Sequence, residues 1–343
     1  KCVAGNTFSI YRRAKSDIWL AIPPAHCACG MENSMSKIAF IFPGQGAQYI
    51  GMGKDFYEEL DECRKIYDIA DEILDFDIKN ICFNENDLIN ETEYTQAAIL
   101  TTSMAIYKAV VEIGIKPDVC CGLSLGEYNA LVASDVMKFS DALKTIRKRG
   151  ILMQEAVPDG KGTMMAVLGL DNEIVSRVCE ETEGIVSVAN YNCPGQLVIS
   201  GERGAVAMAA QKLKEIGAKR VVELKVSGPF HSEMMAEAGR ELRKYIENVE
   251  FNKPVIPYVA NVNALYIDKN KDIQYIKDLL EKQVSSSVMF EQSVKNMIAD
   301  GVDTFIEIGP GRTLSGLVKK TDRNVSVMNI NCIDDLKKLI ELK

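Results

Sequence analysis

One serine stands in a pentapeptide whose spacing is typical of a catalytic nucleophile. Residues Gly122 to Gly126 read Gly-Leu-Ser-Leu-Gly, between the apolar run 118–121 and the helical stretch 127–131. In a strand-turn-helix, this motif exposes the serine hydroxyl on a sharp turn, where small flanking residues avoid collisions between Cβ atoms. Amide groups at the start of the helix can stabilise a developing oxyanion. A glycine-rich turn whose serine only caps a helix has the same residues, so both interpretations stay open at this point.

A serine nucleophile needs a general base, and histidine has the pKa best suited to proton transfer in both directions. The chain contains two histidines. His26 lies in an N-terminal segment of different character, whereas His231 lies in the loop 227–232. We therefore predict that His231 is the base for Ser124. The sequence identifies no acidic third partner, and a backbone carbonyl or an amide side chain can orient an imidazole instead.

A second glycine-rich segment, Phe42-Pro-Gly-Gln-Gly-Ala-Gln48, follows the first predicted strand. Open α/β sheets bind ligands at the carboxyl ends of their strands. Gly44 and Gly46 allow the backbone to approach a substrate closely and to aim an amide at a thioester oxygen. The spacing does not fit a phosphate-binding loop, because GxxxxGK is missing and GxGxxG would need glycine at Tyr49. An ordinary glycine-rich turn is the alternative.

The elements that must position these residues alternate between short β-rich runs and amphipathic helical windows, which predicts an α/β fold with a mainly parallel sheet. Residues 161–224 show the β-α-β-β-α-β order of a ferredoxin-like unit. We predict that this small domain is inserted into a large domain formed by 35–160 and 225–343. The predicted strands are 37–42, 118–122, 163–169, 185–191, 196–200, 219–224, 255–259, 303–308 and the first part of 325–340. The predicted helices are 53–75, 95–113, 126–133, 140–156, 171–183, 203–217, 272–282, 289–300 and the second part of 325–340.

The first 34 residues differ in character from the rest of the chain. They contain neither the apolar core and cleavage site of a signal peptide nor a clear helical period. We expect residues 1–34 to be a non-native or disordered leader and Met35 to be the natural start. His26, Cys27 and Cys29 form one tight cluster without a second pair of ligands, so we predict no metal site there.

The composition excludes several classes of protein. The 343 residues are 47% hydrophobic and 26% charged, as in soluble globular proteins of about two domains. No run of 18 residues is apolar and uncharged, which argues against a membrane protein. The net charge of −8 is opposite to the basic field that nucleic acids attract. The ten cysteines form no CxxC pair, and we expect a reducing, cytoplasmic location.

Taken together, the motifs resemble the malonyl-CoA:acyl carrier protein transacylases of type II fatty acid synthesis, over essentially 35–343. The segments that carry the resemblance are GQGAQ at 44–48, GLSLGE at 122–127, RG followed by MQEAVP around Arg149, ANYNCPGQ at 189–196, PFHS at 229–232 and EIGPG at 307–311. The resemblance implies an α/β-hydrolase-like large domain. It also implies a ping-pong transfer of malonyl from malonyl-CoA, through a serine ester, to the phosphopantetheine thiol of acyl carrier protein.

The resemblance also assigns roles to residues. The implied site consists of Ser124 and His231 for catalysis, Gln45 and Leu125 for the oxyanion hole, and Arg149, Gln283, Phe230, Asn190 and Asn192 around the substrate. The planar guanidinium of Arg149 would pair with the malonyl carboxylate through two parallel hydrogen bonds, whereas Gln283 would help to orient the base. The bulk of Phe230 would crowd a 2-methyl branch. Most relatives have histidine where this chain has Leu123, which removes a polar contact beside the nucleophile.

The implied partners are malonyl-CoA and acyl carrier protein, with no metal or redox cofactor, no nucleic acid or membrane partner, and a monomeric enzyme. An acidic carrier would need a local basic patch on this acidic chain. The candidate patches are Lys212, Lys214, Lys219 and Arg220, and Lys319, Lys320 and Arg323. The open alternatives are an acyltransferase that serves a polyketide synthase, a serine thioester hydrolase and a non-catalytic acyl-CoA-binding protein. Arg149 and the 44–48 segment favour a transferase over a hydrolase.

Overall fold

The computed structural model describes residues 36–341, which contain two β-sheets. The expectations for the leader, for Met35 and for the cluster around His26 lie outside the described residues. The strands are β1 (Lys37–Phe42), β2 (Val119–Gly122), β3 (Gly162–Leu168), β4 (Val186–Cys193), β5 (Gln196–Glu202), β6 (Arg220–Glu223), β7 (Tyr258–Val259), β8 (Tyr266–Ile267), β9 (Val302–Ile308) and β10 (Ser326–Ile330).

The helices lie between these strands in chain order. They are α1 (Lys54–Glu59), α2 (Asp61–Ile73), α3 (Ile78–Phe83), α4 (Thr92–Glu112), α5 (Gly126–Ala133), α6 (Phe139–Glu155), α7 (Asn172–Glu180), α8 (Arg203–Ile216), α9 (Ala236–Ile246), α10 (Ile273–Ser285), α11 (Phe290–Ala299), α12 (Thr313–Thr321) and α13 (Ile333–Glu341). No helix within 36–341 is long and apolar enough to span a membrane.

The six-stranded sheet has the order β10-β9-β1-β2-β7-β8, and only the β7–β8 pairing is antiparallel. Both faces of its central strand are buried. Phe40 and Phe42 of β1 belong to one apolar cluster, whereas Ala39 and Ile41 belong to another on the opposite face. This alternation explains why β1 reads as a continuous apolar run, since a parallel strand covered by helices on both sides exposes neither face.

The four-stranded sheet is antiparallel, with the order β4-β5-β3-β6. Helices α7 and α8 pack against it around a separate apolar cluster that includes Val167, Val175 and Leu213. The β-α-β-β-α-β connectivity together with this strand order is that of a ferredoxin-like unit. The predicted fold class, an α/β-hydrolase-like part with a mainly parallel sheet and an inserted ferredoxin-like part, is therefore confirmed. The exact domain boundaries stay a prediction.

Several elements differ from the prediction. The helix predicted over 53–75 is two helices, because Leu60 is extended, with φ −123° and ψ 119°. Helix α3 and the two-residue strand β8 have no counterpart in the prediction. The strand predicted over 255–259 contains only Tyr258–Val259.

Candidate active site

The two glycine-rich motifs leave the same edge of the large sheet. Strands β1 and β2 are parallel neighbours, and their last residues, Phe42 and Gly122, are paired in the register. A Cβ added at Gly122 would lie 2.0 Å from the Gly126 carbonyl oxygen, and one added at Gly126 would lie 2.2 Å from the Phe42 oxygen. Only glycine fits at both positions. The sharp turn between them holds Ser124 at φ 54°, a strained conformation typical of functional sites.

Asn261 fixes this turn from the segment that follows β7. Its Oδ1 accepts a hydrogen bond from the Ser124 backbone amide at 2.7 Å, and its Nδ2 donates to the Gly122 carbonyl at 2.7 Å. The side chain is buried. Both ends of the amide are thus used to hold the backbone on either side of Leu123.

His231 faces the serine. Its Nε2 lies 2.7 Å from Ser124 Oγ, and its Nδ1 lies 2.8 Å from the Gln283 carbonyl oxygen. A carbonyl oxygen can only accept, so Nδ1 carries the proton and Nε2 accepts from the serine hydroxyl. Burial and the neighbouring Arg149 charge lower the pKa of His231 to about 4. The imidazole is therefore neutral at pH 7 and ready to accept a proton.

Arg149 of α6 is buried beside the same hydroxyl, with 1% of its surface exposed. Its Nη2 donates to Ser124 Oγ at 3.1 Å and to Gln283 Oε1 at 2.9 Å, and its Nη1 donates to Gln96 Oε1 at 2.7 Å. The guanidinium lies over the Tyr128 ring, 5.7 Å from its centroid. Within residues 36–341 no carboxylate forms an ion pair with it, and its buried Nε has no hydrogen-bond partner. Burying an unpaired charge costs free energy, so this arrangement favours an anionic ligand.

Two backbone amides beside the serine are free to bind an oxyanion. In the described part of the chain, the N–H groups of Leu125 and Gln45 donate to no protein acceptor. Leu125 precedes α5, whose N-terminal end carries partial positive charge. The Gln45 loop packs closely on the turn, since a Cβ at Gly44 would lie 2.5 Å from the Leu123 oxygen.

Residues 39–338 match the acyl transferase domain family. The chain belongs to this family. It is 46% identical over 301 residues to the malonyl CoA-acyl carrier protein transacylase of Bacillus subtilis (strain 168), a match that spans 87% of this chain and 94% of that protein.

Solved structures of similar proteins have the same fold. The malonyl CoA-acyl carrier protein transacylase of Clostridium perfringens superposes with a TM-score of 0.86 at 43% identity, covering 90% of this chain and 97% of that one. A malonyl-transacylase in complex with a type II polyketide synthase acyl carrier protein superposes with a TM-score of 0.86 at 37% identity, covering 90% of this chain and 100% of that chain. This protein is therefore an acyltransferase.

The resemblance implied three further residues at the substrate of this acyltransferase, namely Phe230, Asn190 and Asn192. Phe230 precedes His231 and is buried. Asn190 and Asn192 lie on β4, and the buried Oδ1 of Asn192 has no hydrogen-bond partner in the part of the chain that the structure describes. In the described residues, none of the three side chains bonds to Ser124, His231 or Arg149. Their roles at the substrate stay predictions.

Leu123, at which this sequence departs from the pattern that the resemblance implies, immediately precedes the nucleophile. Its side chain packs against the apolar cluster on one face of the large sheet. Its backbone N–H donates to the Phe42 carbonyl at 3.0 Å, which ties the turn to the end of β1.

Sequence reasoning missed three residues of this acyltransferase site. Gln96 holds Arg149, Asn261 holds the turn, and the buried carboxyl of Glu127 accepts from Gln283 Nε2 at 2.8 Å. Burial raises the pKa of Glu127 to about 7. One usable signal existed for Glu127, because a charged residue within the apolar turn-helix segment after Ser124 needs a buried partner.

Proposed function

We propose that this acyltransferase transfers malonyl from malonyl-CoA to the phosphopantetheine thiol of an acyl carrier protein. The observation that carries the proposal is the buried guanidinium of Arg149, which has no carboxylate ion-pair partner among residues 36–341 and lies 3.1 Å from Ser124 Oγ. A malonyl group on that oxygen has a carboxylate two bonds beyond its acyl carbon. That carboxylate would supply the missing counter-charge through charge-assisted hydrogen bonds.

Acylation follows from the geometry around Ser124. As Oγ attacks the thioester carbon of malonyl-CoA, His231 Nε2 accepts the hydroxyl proton. The amides of Gln45 and Leu125 donate to the oxyanion that forms, an interaction typically worth about 3 kcal/mol of barrier per donor. When the C–S bond breaks, His231 returns the proton to the departing sulfur. The products are a malonyl ester on Ser124 and free coenzyme A.

Transfer to the carrier repeats these steps in reverse with a different thiol. His231 accepts the proton of the phosphopantetheine thiol, and the sulfur attacks the ester carbon. The collapsing intermediate releases Ser124 Oγ, which regains its proton from His231. Nucleophile, base and counter-charge all belong to one chain, so the proposal requires neither a metal or redox cofactor nor a second subunit, and the enzyme would act as a monomer.

The proposed partners are malonyl-CoA and the carrier, with no nucleic acid or membrane. The carrier belongs to fatty acid synthesis in this proposal. The similar transacylase seen with a type II polyketide synthase carrier makes that pathway the second candidate for the acceptor, with unchanged chemistry. The seven cysteines recorded among the described residues are all free thiols, which is compatible with the cytoplasmic location expected from the sequence.

The test is the mass of the intact protein after brief exposure to malonyl-CoA, acetyl-CoA or methylmalonyl-CoA, followed by a phosphopantetheinylated carrier. We expect a malonyl adduct that requires Ser124 and discharges onto the carrier. Arg149→Ala should lower the preference for malonyl over acetyl about ten- to hundredfold, because a hydrogen-bonded charge pair is lost. Lys148→Ala, one residue away on the same helix, should keep that preference.

Other outcomes have definite meanings. An adduct that is lost to water as fast as to the carrier would identify a hydrolase. No adduct from any donor would identify a binding protein. Acylation by methylmalonyl-CoA at the malonyl-CoA rate would mean that Phe230 does not exclude the branch.

A further inference from the structure

Glu127 is a buried carboxyl group to which the proposed chemistry gives no task. It lies in the first turn of α5, three residues after the nucleophile, and is 1% exposed. Among the residues that the structure describes, it forms no ion pair. Its Oε2 accepts from Gln283 Nε2 at 2.8 Å and from the Asn261 backbone amide at 3.4 Å. Burial of a carboxyl group is costly, so its retention beside the active site calls for a function.

Both hydrogen-bond donors to Glu127 hold parts of the catalytic centre. Asn261 fixes the backbone on both sides of Leu123. Gln283 bonds to the centre at three points. Its Nε2 also donates to the Ser124 carbonyl at 2.8 Å, its Oε1 accepts from Arg149 Nη2 at 2.9 Å, and its backbone oxygen accepts from His231 Nδ1 at 2.8 Å.

The polarity of the Gln283 amide matters for this network. A guanidinium only donates hydrogen bonds, so Arg149 requires the oxygen end of the amide. Glu127 Oε2 and the Ser124 carbonyl both accept from the nitrogen end. If the amide were reversed, its NH2 group would face the guanidinium and its oxygen would face the carboxyl. Glu127 thus favours the single orientation that supports Arg149.

We propose that Glu127 is a positioning residue that fixes the orientation of the Gln283 amide and thereby holds Arg149 in place for the carboxylate of the acyl group. This inference rests on the proposed function, because it takes Arg149 as the partner of malonyl. It assigns the selectivity for malonyl partly to a residue that never touches the substrate. The hydrogen bond to Gln283 depends on where the acceptor oxygen of Glu127 lies. The proposal therefore gives importance to the position of this oxygen and not to the charge of the carboxylate.

Two conservative substitutions test these properties separately. Glu127→Gln keeps an acceptor oxygen at the same distance and removes the charge, and both neighbouring donors favour that oxygen over the new NH2 group. Glu127→Asp keeps the charge and withdraws the oxygen by one methylene. The measurement is the single-turnover rate of Ser124 acylation over a series of malonyl-CoA and acetyl-CoA concentrations, which gives kcat/KM of acylation for each, together with the stability of each variant.

We expect Glu127→Asp to lower the malonyl-to-acetyl ratio of kcat/KM roughly tenfold, the effect of one lost hydrogen bond in a charged network. Glu127→Gln should leave the ratio near the wild-type value. The opposite pattern would show that charge is what matters and would overturn the proposal. If Glu127→Asp slowed acylation by malonyl-CoA and by acetyl-CoA equally, the proposal would also be overturned, because the role of Glu127 would then be purely structural.

The Arg149→Ala background provides the control. In that background Glu127→Asp should not lower the ratio further, since the group being positioned is absent. An undiminished effect there would contradict the proposal. Failure of the proposed function would look different, because wild-type enzyme would then show no preference for malonyl over acetyl.

Discussion

At the scale of single residues, the neutral state of His231 has a consequence for the pH dependence of acylation. Its pKa is lowered to about 4, so the imidazole is an available base at any pH well above 4 and loses this ability as pH falls through that value. We expect kcat/KM for Ser124 acylation by malonyl-CoA to fall with a midpoint near pH 4. A histidine with an ordinary pKa would give a midpoint near 6.5.

Rapid-quench acylation between pH 3.5 and pH 8 measures this midpoint. Circular dichroism at each pH provides the control, because acid unfolding would also reduce the rate. Glu127, whose pKa is raised to about 7, contacts the same network through Gln283, so the profile is also measured in Glu127→Gln. A midpoint near 6.5 in both enzymes with the fold intact would contradict the burial and the Arg149 charge as causes of the shift.

Some residues of the site could be predicted from the sequence, and others could not. Ser124 and His231 could be predicted because a nucleophile has a motif and the described chain offers a single histidine to serve it. Gln96 and Asn261 could not, because an amide side chain gains its role only from what it faces. The resemblance named Gln283 as the residue that helps to orient His231. The atom that contacts His231 Nδ1 is the backbone carbonyl oxygen of Gln283, which every residue possesses, so no side-chain pattern could identify it.

At the scale of elements, the turn between β2 and α5 can hold Ser124 in its position only because the strand and the helix approach closely. We expect Gly126→Ala to destabilise the fold by about 1–3 kcal/mol, since its Cβ would lie 2.2 Å from the Phe42 carbonyl oxygen. Acylation should fall as well, because relief of this collision must shift either the end of β1 or the nucleophile. Urea unfolding and the single-turnover acylation rate measure the two effects.

Gly316→Ala is the matched control. Gly316 lies within α12, and no atom lies within 4 Å of its added Cβ. This substitution should raise the free energy of unfolding by about 0.5–1 kcal/mol and leave acylation unchanged. A Gly126→Ala enzyme as stable and active as wild type would mean that the turn tolerates a wider separation than the structure has.

The length of an element and the clarity of its apolar pattern decide whether it could be predicted from the sequence. Strand β1 and helix α6 have clear apolar patterns and lie within one residue of their predicted bounds. Helix α3 is too short to establish a period, and Leu60 interrupts a helical pattern without any glycine or proline to mark the break. Strand β8 contains two residues, which gives no alternation to detect.

At the scale of the whole molecule, a net charge of −8 repels an acidic carrier, so docking must use local cations. The structure shows how several candidates are already engaged. Lys319 Nζ donates to the carbonyls of Arg323 and Val325, Lys320 Nζ to Gln196, and Lys212 Nζ to Glu181 and Thr182.

The remaining cations of the first patch, together with Arg323 of the second, therefore have the most freedom to bind a carrier. Lys214, Lys219 and Arg220 are exposed, and within residues 36–341 their side chains have no hydrogen-bond or ion-pair partner. They lie at the end of α8 and the start of β6, on the ferredoxin-like part of the fold. Long-range attraction there would accelerate the encounter with an acidic partner more than it would strengthen the final complex.

We expect the double reversal Lys219→Glu and Arg220→Glu to raise the KM for the carrier roughly tenfold at low salt, with a smaller effect at high salt, because screening removes the attraction. Acylation by malonyl-CoA should be unchanged, since only the second half-reaction involves the carrier. The double reversal Lys65→Glu and Lys116→Glu, at two exposed cations outside the patch, changes the net charge by the same amount and is the control for net charge alone. The decisive measurement is the rate of discharge of the malonyl-enzyme at increasing carrier concentrations. If discharge is unaltered when this patch and Lys319, Lys320 and Arg323 are all reversed, the carrier docks elsewhere.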